Sequence, residues 1–429
     1  MKKEKWKEAI NRYIDENKEE MLGWLQRLIQ LPSVVGQEEA AQQYYANRLK
    51  EDGLAVDFWY PKKEDMGCNP YFLPYRDDYS TSPNVVGHYK GLGGGRSLML
   101  NGHVDVVPEG ENDWLESPWS GSRKDGCIYG RGASDMKGGL IANLIAMHTI
   151  VKLGIPLKGD VYLASVIGEE TGGAGTLSLI HRGYRADAAI IPEPSNLHIC
   201  PVSLGVMWFR VRVHGVAAHA ANAHLGVNAI SKATILIHAL DECNEKERMQ
   251  RKHKLYYEVP NPFNINLGQM TAGNIPTSVP EEAILEGRIA FSPDEDVESA
   301  RKVVEEAVYQ AAQTDPWLKE HPPVVEWYGF CLNSGKIEED HPMMEVLKEN
   351  YQAIKGEEAE ISGTPWGTDA GALIRYGHTP TIVFGPGPRH TAHQANEYVE
   401  EETLLLVAKV IASAMIDWCG VSSEGKKEA

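Results

Sequence analysis

The apolar positions along this chain change their spacing twice, and each change marks a change of architecture. From Met1 to Gln30, residues Ile10, Ile14, Met21, Leu25, Leu28 and Ile29 fall at helical spacing, which predicts one amphipathic helix laid on a core. A loop follows, then a second helix ending at Gly53, then PKKEDMGCNPYFLPYRDDYSTSPN, a segment full of turn formers and aromatics. Beyond NVVGHYKG the pattern becomes a succession of apolar runs. SLMLNGHVD, GDVYLASVIGEE and ADAAIIPEPS read as strands; GGLIANLIAMHTIVKLG, closed by Gly154, and GTLSLIHRG read as the helices between them. Strands without a wet face, alternating with helices, predict a parallel or mostly parallel sheet covered by helices.

Near Gly205 the spacing shifts. GVMWFRVRVHG alternates apolar and polar residues, the mark of a strand with one wet face. A helix from Gly226 to Leu240 follows, then the charged stretch DECNEKERMQRKHK and the strands FNINLGQM and EAILEGRIAF. The helix DEDVESARKVVEEAVYQAAQ and the closing strand PPVVEWYG complete a βαββαβ order, which predicts an antiparallel sheet with helices on one face. After Asn333 the first style resumes with helix HPMMEVLKENYQAIKG, strand TPTIVFGPG and terminal helix EETLLLVAKVIASAMIDWCG. The expected fold is therefore α/β: a discontinuous domain, residues 1–204 and 330–429, interrupted by an inserted α+β domain, residues 205–329. There is no internal repeat, and no low-complexity tract beyond the charged tail SSEGKKEA.

Composition narrows the picture. A chain of 429 residues exceeds what one hydrophobic core organises, in keeping with two domains. A formal net charge of -18 argues against a nucleic-acid partner, because phosphate binding needs a basic face. No apolar stretch follows the N-terminal lysines to make a signal peptide, and no run approaches the ~20 apolar residues that span a membrane. The cysteines, Cys68, Cys127, Cys200, Cys243, Cys331 and Cys419, are scattered without a CxxC pair. They read as reduced thiols of a cytoplasmic protein rather than a disulfide framework or a zinc knuckle.

In open α/β sheets, ligands bind at the carboxyl ends of the strands, and there the chain places its candidate chemistry. SLMLNGHVDVVP ends in His103 and Asp105, and GRGASDMKGGL puts Asp135 in a glycine-rich turn before a helix. SVIGEE ends in Glu169 and Glu170, AAIIPEPS in Glu193, and TIVFGPGPRHTAHQANE carries His390 and His393. Each has a bland reading alone: Asp135 as an N-cap, the adjacent glutamates as a solvated pair, a lone histidine as a structural residue. Gathered at one edge, they concentrate negative charge that only cations neutralise. Carboxylates with imidazoles suit zinc or a similar divalent ion, and two such ions can share a bridging carboxylate and acidify a water held between them.

NGHVDVVP, YGRGASDMKGG, GEETGG, PEPS and AHQANE resemble, in order, the motifs of the M20 metallopeptidase family, which includes acetylornithine deacetylase, succinyl-diaminopimelate desuccinylase, aminoacylase-1 and carboxypeptidase G. The resemblance covers nearly the whole chain. It implies a zinc-exopeptidase-like catalytic domain, an inserted lid and dimerisation domain, a homodimer, and two zinc ions that cobalt or manganese could replace. His103 and Glu193 would bind one metal, Glu170 and His393 the other, with Asp135 bridging. Asp105 would orient the His103 ring through its carboxylate, Glu169 would be the general base, and His390 would take no part. Gly172 and Gly173 would let their turn pass close to the metals. His219, in GVAAHAANAHLGVNAI, would reach across the dimer to stabilise an oxyanion, with His214 and His224 as bystanders. Arg288, in EGRIAF, would hold a substrate carboxylate.

The chain also departs from the family pattern. GNIPTSVPEE offers either Asn274 or the Val279–Pro280 pair as the match to a substrate-binding Asn-x-Ile-Pro turn. GTPWGTDAGA puts Trp366 into a stretch of small residues beside Asp369, a further substrate-binding candidate. The insert around MGCNPYFLPYRDDY resembles the longer-chain branch of the family, which also holds deformylases of a formylated aminopyrimidine. The implied activity is removal of a small acyl group from an N-acylated amine or amino acid, in the manner of acetylornithine deacetylase. The alternatives are that deformylase, an M20-type carboxypeptidase or dipeptidase, and a non-catalytic binding protein.

Overall fold

A nine-stranded mixed sheet carries the candidate chemistry in the computed structural model, which describes residues 2–422; the tail beyond Ser422 lies outside them. The strand order is Ala55–Trp59, Asn84–Tyr89, Val161–Val166, Leu98–His103, Ala188–Ile191, Thr381–Val383, Ile199–Ser203 and Gly335–Lys336. Ile361–Thr364 pairs in parallel with Ile199–Ser203. The four central strands, from Val161–Val166 to Thr381–Val383, are parallel. Antiparallel pairs flank them, so the expected parallel character holds only in the middle.

Those central strands read as continuous apolar runs because both their faces are covered; every residue of Leu98–His103 and Ala188–Ile191 is buried. Helix Gly138–Lys152 is buried from Gly138 through Ile150 and packs against Glu401–Cys419. A helix apolar on all sides needs a further layer, and the N-terminal segment supplies it. That segment is two helices, Lys2–Glu16 and Lys18–Ile29, not the single one expected. The break falls at Asn17, whose side-chain amide donates to the Tyr13 carbonyl at 2.7 Å, a local bond of the kind that competes with helix continuation.

The second sheet is antiparallel, in the order Ile265–Ala272, Glu282–Phe291, Gly205–His214 and Val324–Leu332. Along Gly205–His214 the alternation works as expected. Met207, Phe209, Val211 and Val213 join a core with Ala233 and Leu236 of helix Ala229–Gln250 and with Val304 and Val308 of helix Val297–Gln313. The first of these helices runs ten residues past its expected end at Leu240, through the charged stretch. That stretch lacks glycine and proline and is rich in helix-forming Glu and Lys, so it continues as a solvated helix.

Three loops meet under the carboxyl edge of the central strands, backbone against backbone, at glycines. A Cβ on Gly139 would lie 2.0 Å from the Pro192 carbonyl oxygen, one on Gly385 2.3 Å from it, and one on Gly387 2.4 Å from Ser134 Oγ. Glu397 ties the same loops together. Its carboxylate accepts from Arg131 Nη1 (2.7 Å) and from the backbone N–H groups of Gly132 (3.0 Å), Ser134 (2.9 Å) and Asp135 (2.9 Å). Both Arg131 and Glu397 are fully enclosed.

Two expectations follow. Gly139→Ala must push the helix start away from Pro192, at a cost of roughly 1–3 kcal/mol for overpacking, seen as a lower unfolding midpoint. A variant as stable as wild type would show that the loops can slide apart freely. Glu397→Gln leaves Arg131 buried without its counter-charge and aims an NH2 group at N–H donors, at a cost of roughly 3–5 kcal/mol in the same measurement. An unchanged midpoint would show that the Asp135 turn holds itself.

Candidate active site

The parallel strands deliver their side chains to one edge. His103 is the last residue of Leu98–His103, Glu169 and Glu170 follow Val161–Val166, and Glu193 follows Ala188–Ile191. His393 comes in on the loop after Thr381–Val383, its backbone in the left-handed region at φ 63°. Asp135 does not cap the following helix. Its φ of −117° and ψ of 95° break the local helix and turn the carboxylate towards the imidazoles.

The result is two half-sites sharing one carboxylate. His103 Nε2 lies 3.2 Å from Asp135 Oδ1 and 3.4 Å from Glu193 Oε1. His393 Nε2 lies 3.3 Å from Asp135 Oδ2 and 3.0 Å from Glu170 Oε1. His103, Asp135 and Glu170 each place a ligand atom within 4.8 Å of the others. Glu169 stands further back, 3.9 Å from His103 Nε2. His103 Nε2 is buried between the Asp135 and Glu193 carboxylates without a well-aligned hydrogen bond to either, an arrangement that suits a ring nitrogen placed for a cation. Largely buried acids around two imidazoles, with one orphaned nitrogen among them, fit divalent metal in type and placement.

Electrostatics reflect the crowding. Burial works against a charged His393 ring, yet donating to the Asp135 and Glu170 carboxylates lifts it to about 11. Burial favours a protonated Asp135, but the two imidazoles outweigh it and hold the carboxyl below its ordinary range. Glu193 is pushed up to about 8, by burial first and then by the Asp135 charge. Glu169 rises well above the carboxylate range through burial, opposed by His103 and reinforced by Glu193, Asp369 and Glu170.

Three expectations need correction. The His103 ring is oriented by the backbone carbonyl of Asp105, 2.9 Å from Nδ1; the Asp105 carboxylate is 3.7 Å away. That carboxylate instead accepts from the N–H groups of Glu169 (3.4 Å) and Glu170 (3.2 Å), fixing the turn that carries them. Asp369 does not line the cavity. It is buried behind Glu169, accepts from Thr176 Oγ1 at 2.7 Å, and burial raises it to about 6. Gly172 and Gly173 do not abut the acids around the two imidazoles: a Cβ on the first would meet the backbone of Phe330 and Cys331, on the second the Asp369 carboxylate and Leu332.

A cavity of about 650 Å³ opens over the cluster, lined by Asp135, Glu169, Glu170, Glu193 and His393 on one side. Arg288 and Trp366 also line it, with Trp208, Phe330 and Tyr75. Arg288 Nη2 donates to Asn264 Oδ1 at 2.9 Å, and no carboxylate among the described residues pairs with it. Asn274 and His219 lie outside this cavity, exposed, where the short strands Ala218–His219 and Ser278–Val279 pair. His390 is exposed and takes no part in the cluster. Glu397 and the aromatic wall were not singled out from the sequence. The first lies inside the AHQANE motif, and Trp208 sits at a wet-face position of the alternating strand, so both had a readable signal.

Among the described residues no cysteines are bonded to each other, and no helix is long and apolar enough to cross a membrane. The chain is 34% identical, over 96% of its length and 97% of the relative's, to N-formyl-4-amino-5-aminomethyl-2-methylpyrimidine deformylase of Halalkalibacterium halodurans. It is 31% identical to the protein of that name from Bacillus subtilis, over 97% of this chain and 98% of that one. Among solved structures, the dipeptidase Dug1p of Saccharomyces cerevisiae superposes with a TM-score of 0.76 at 14% identity, covering 96% of this chain and 98% of that one, a likeness of fold alone. Residues 99–417 match peptidase family M20/M25/M40, and the chain belongs to that family.

Proposed function

We propose that this chain is a metal-dependent amide hydrolase that removes the formyl group from a formylated aminomethylpyrimidine. The observation that carries this reading is the end-to-end likeness to two deformylases, at 34% and 31% identity. It favours the deformylase alternative over the acetylornithine deacetylase reading drawn from the motifs. The dipeptidase reading rests on likeness of fold, and a purely binding role leaves the intact cluster of acids and imidazoles without a purpose.

In this reading His103 and Glu193 hold one divalent cation, Glu170 and His393 a second, and Asp135 stands between them. Zinc, or cobalt or manganese in its place, would polarise the amide carbonyl and lower the pKa of the attacking water. Glu169 sits clear of the two half-sites, 3.9 Å from His103 Nε2, and lines the cavity. It takes the proton from water and passes it to the leaving nitrogen as the C–N bond breaks and the new C–O bond forms, giving formate and an amine. Asp105 keeps Glu169 and Glu170 facing the cavity through their backbone N–H groups.

We assign the nine-stranded sheet, residues 1–204 and 330–429, to catalysis and residues 205–329 to covering the site and pairing two copies. His219 and Asn274 then act across the dimer, because both stand on one exposed prong away from their own cavity; His219 of the partner subunit supplies the oxyanion contact. A cytoplasmic location keeps the unpaired thiols reduced.

Glu169→Gln should lower kcat by about 10²–10⁴-fold while the protein still binds two metals per chain. Glu170→Gln should lose metal. Intact turnover in the first variant, or a metal-free preparation of it, overturns the base assignment. A panel of formyl, acetyl and succinyl amides with zinc or cobalt tests the substrate. The formylated pyrimidine should be cleaved and acetylornithine left intact; the reverse outcome restores the deacetylase reading.

A further inference from the structure

The part of the cavity lining that the second sheet supplies is built with a regularity that metal chemistry does not require. Along Gly205–His214, Met207, Phe209, Val211 and Val213 bury into the helices, so Trp208, Arg210 and Arg212 face the other way. Arg210 and Arg212 find acids: Glu286 at 2.6 Å for the first, Glu326 at 3.1 Å for the second. Trp208 faces the cavity.

Its neighbours are arranged around it. On one side the register sets it directly opposite Arg288. On the other, strand Val324–Leu332 breaks register between Trp327 and Cys331, and Gly329 takes φ 65°. A Cβ at Gly329 would come within 3.4 Å of the Trp208 ring. The irregularity brings Phe330 into a stack on Trp208, centroids 5.2 Å apart and planes 15° from parallel. Tyr75, from the long insert, stands edge-on to the same indole at 6.5 Å and 80°. Rings already in contact leave no slot between them, so a guest must lie on the cavity side of the stack.

We propose that the Trp208–Phe330 stack is a docking platform for a planar heteroaromatic ring on the amine half of the substrate, with Tyr75 closing one edge. This rests on reading the cavity as an amide hydrolase site and specifies what that site selects. A flat ring with nitrogen acceptors gains twice here. It stacks on the outer face that the Trp208–Phe330 pair leaves towards the cavity, at the offset geometry aromatic pairs prefer, and its ring nitrogen can accept from Arg288, which is within cross-strand reach of Trp208 and has no carboxylate among the described residues to hold it. A saturated ring of the same size gains neither contact. The insert thus contributes to specificity through Tyr75, and the arginine expected to clamp a carboxylate serves as a donor to a ring.

The test is calorimetric binding of the amine product, 4-amino-5-aminomethyl-2-methylpyrimidine, and of cyclohexylmethylamine to the metal-loaded enzyme. Wild type should prefer the pyrimidine. Trp208→Ala should weaken pyrimidine binding about ten- to hundredfold, the range for bases on aromatic side chains, and leave the saturated amine unchanged; Trp208→Phe should restore most of the loss. Tyr75→Ala, at a residue 54% exposed, should cost the pyrimidine about two- to tenfold. Equal weakening of both amines, no preference in wild type, or indifference to Trp208 and Tyr75 would overturn the platform. Hydrolysis of the formylated pyrimidine, run alongside, separates the two readings. Cleavage with binding indifferent to Trp208 rejects the platform and keeps the deformylase; Trp208-dependent binding without cleavage does the opposite.

Discussion

Negative charge gathered at a dry edge of the main sheet is the constraint on which this structure turns. Asp135, Glu169, Glu170 and Glu193 surround His103, with His393 as the one further imidazole among the described residues of the cluster. Two like charges ~4 Å apart repel by roughly 4 kcal/mol at an effective dielectric of about 20. Two imidazoles cannot balance that many carboxylates, and Glu193 and Glu169 respond by moving far above the ordinary carboxylate range. Such a set persists only if something outside the cluster fixes its members in place and something inside it supplies positive charge.

The fixing is done by acids of a different kind. Asp105 spends its carboxylate on the N–H groups of Glu169 and Glu170. Glu397 spends its own on three backbone donors and Arg131. Both are buried, yet neither faces the cavity, because backbone donors satisfy them where they stand. The acids that do face it lack such donors. This division between satisfied and unsatisfied carboxylates separates scaffold from chemistry better than burial does. It also explains the glycines: loops can share a carboxylate such as Glu397 only if their backbones come within contact distance, as at Gly139, Gly385 and Gly387.

Much of this was legible in the sequence because strand ends and apolar runs are local signals. The parallel character of the central strands and the gathering of His103, Asp135, Glu169, Glu170, Glu193 and His393 at one edge followed from the apolar runs and from reading which side chains stand at carboxyl ends; the spatial order of the strands did not. What escaped depends on how a side chain is used. Nothing local shows that the carbonyl of Asp105, not its carboxylate, meets the His103 ring, or that Asp369 points under Glu169 and not into the cavity. Helix boundaries failed where side-chain competition decides them, at Asn17, and where a charged stretch simply stays helical, past Leu240. The strand Gly335–Lys336 is too short to carry a pattern.

The second sheet shows why one residue period can serve two purposes. Its buried face must be apolar to hold helices Ala229–Gln250 and Val297–Gln313, and alternation then forces every other residue outwards. On that outer face Arg210 and Arg212 pair with Glu282, Glu286 and Glu326. Where the sheet lines the cavity it carries Trp208 and Phe330 beside Arg288, with which no acid among the described residues pairs. The groups that would break the amide bond therefore sit on one sheet, and those that contact the rest of the substrate sit largely on another, with its own core. Exchanging side chains on the outer face of the second sheet leaves both the acids and the Glu397 scaffold untouched. A fold divided this way can change the amine it accepts without rebuilding the charge cluster that its stability constrains most tightly.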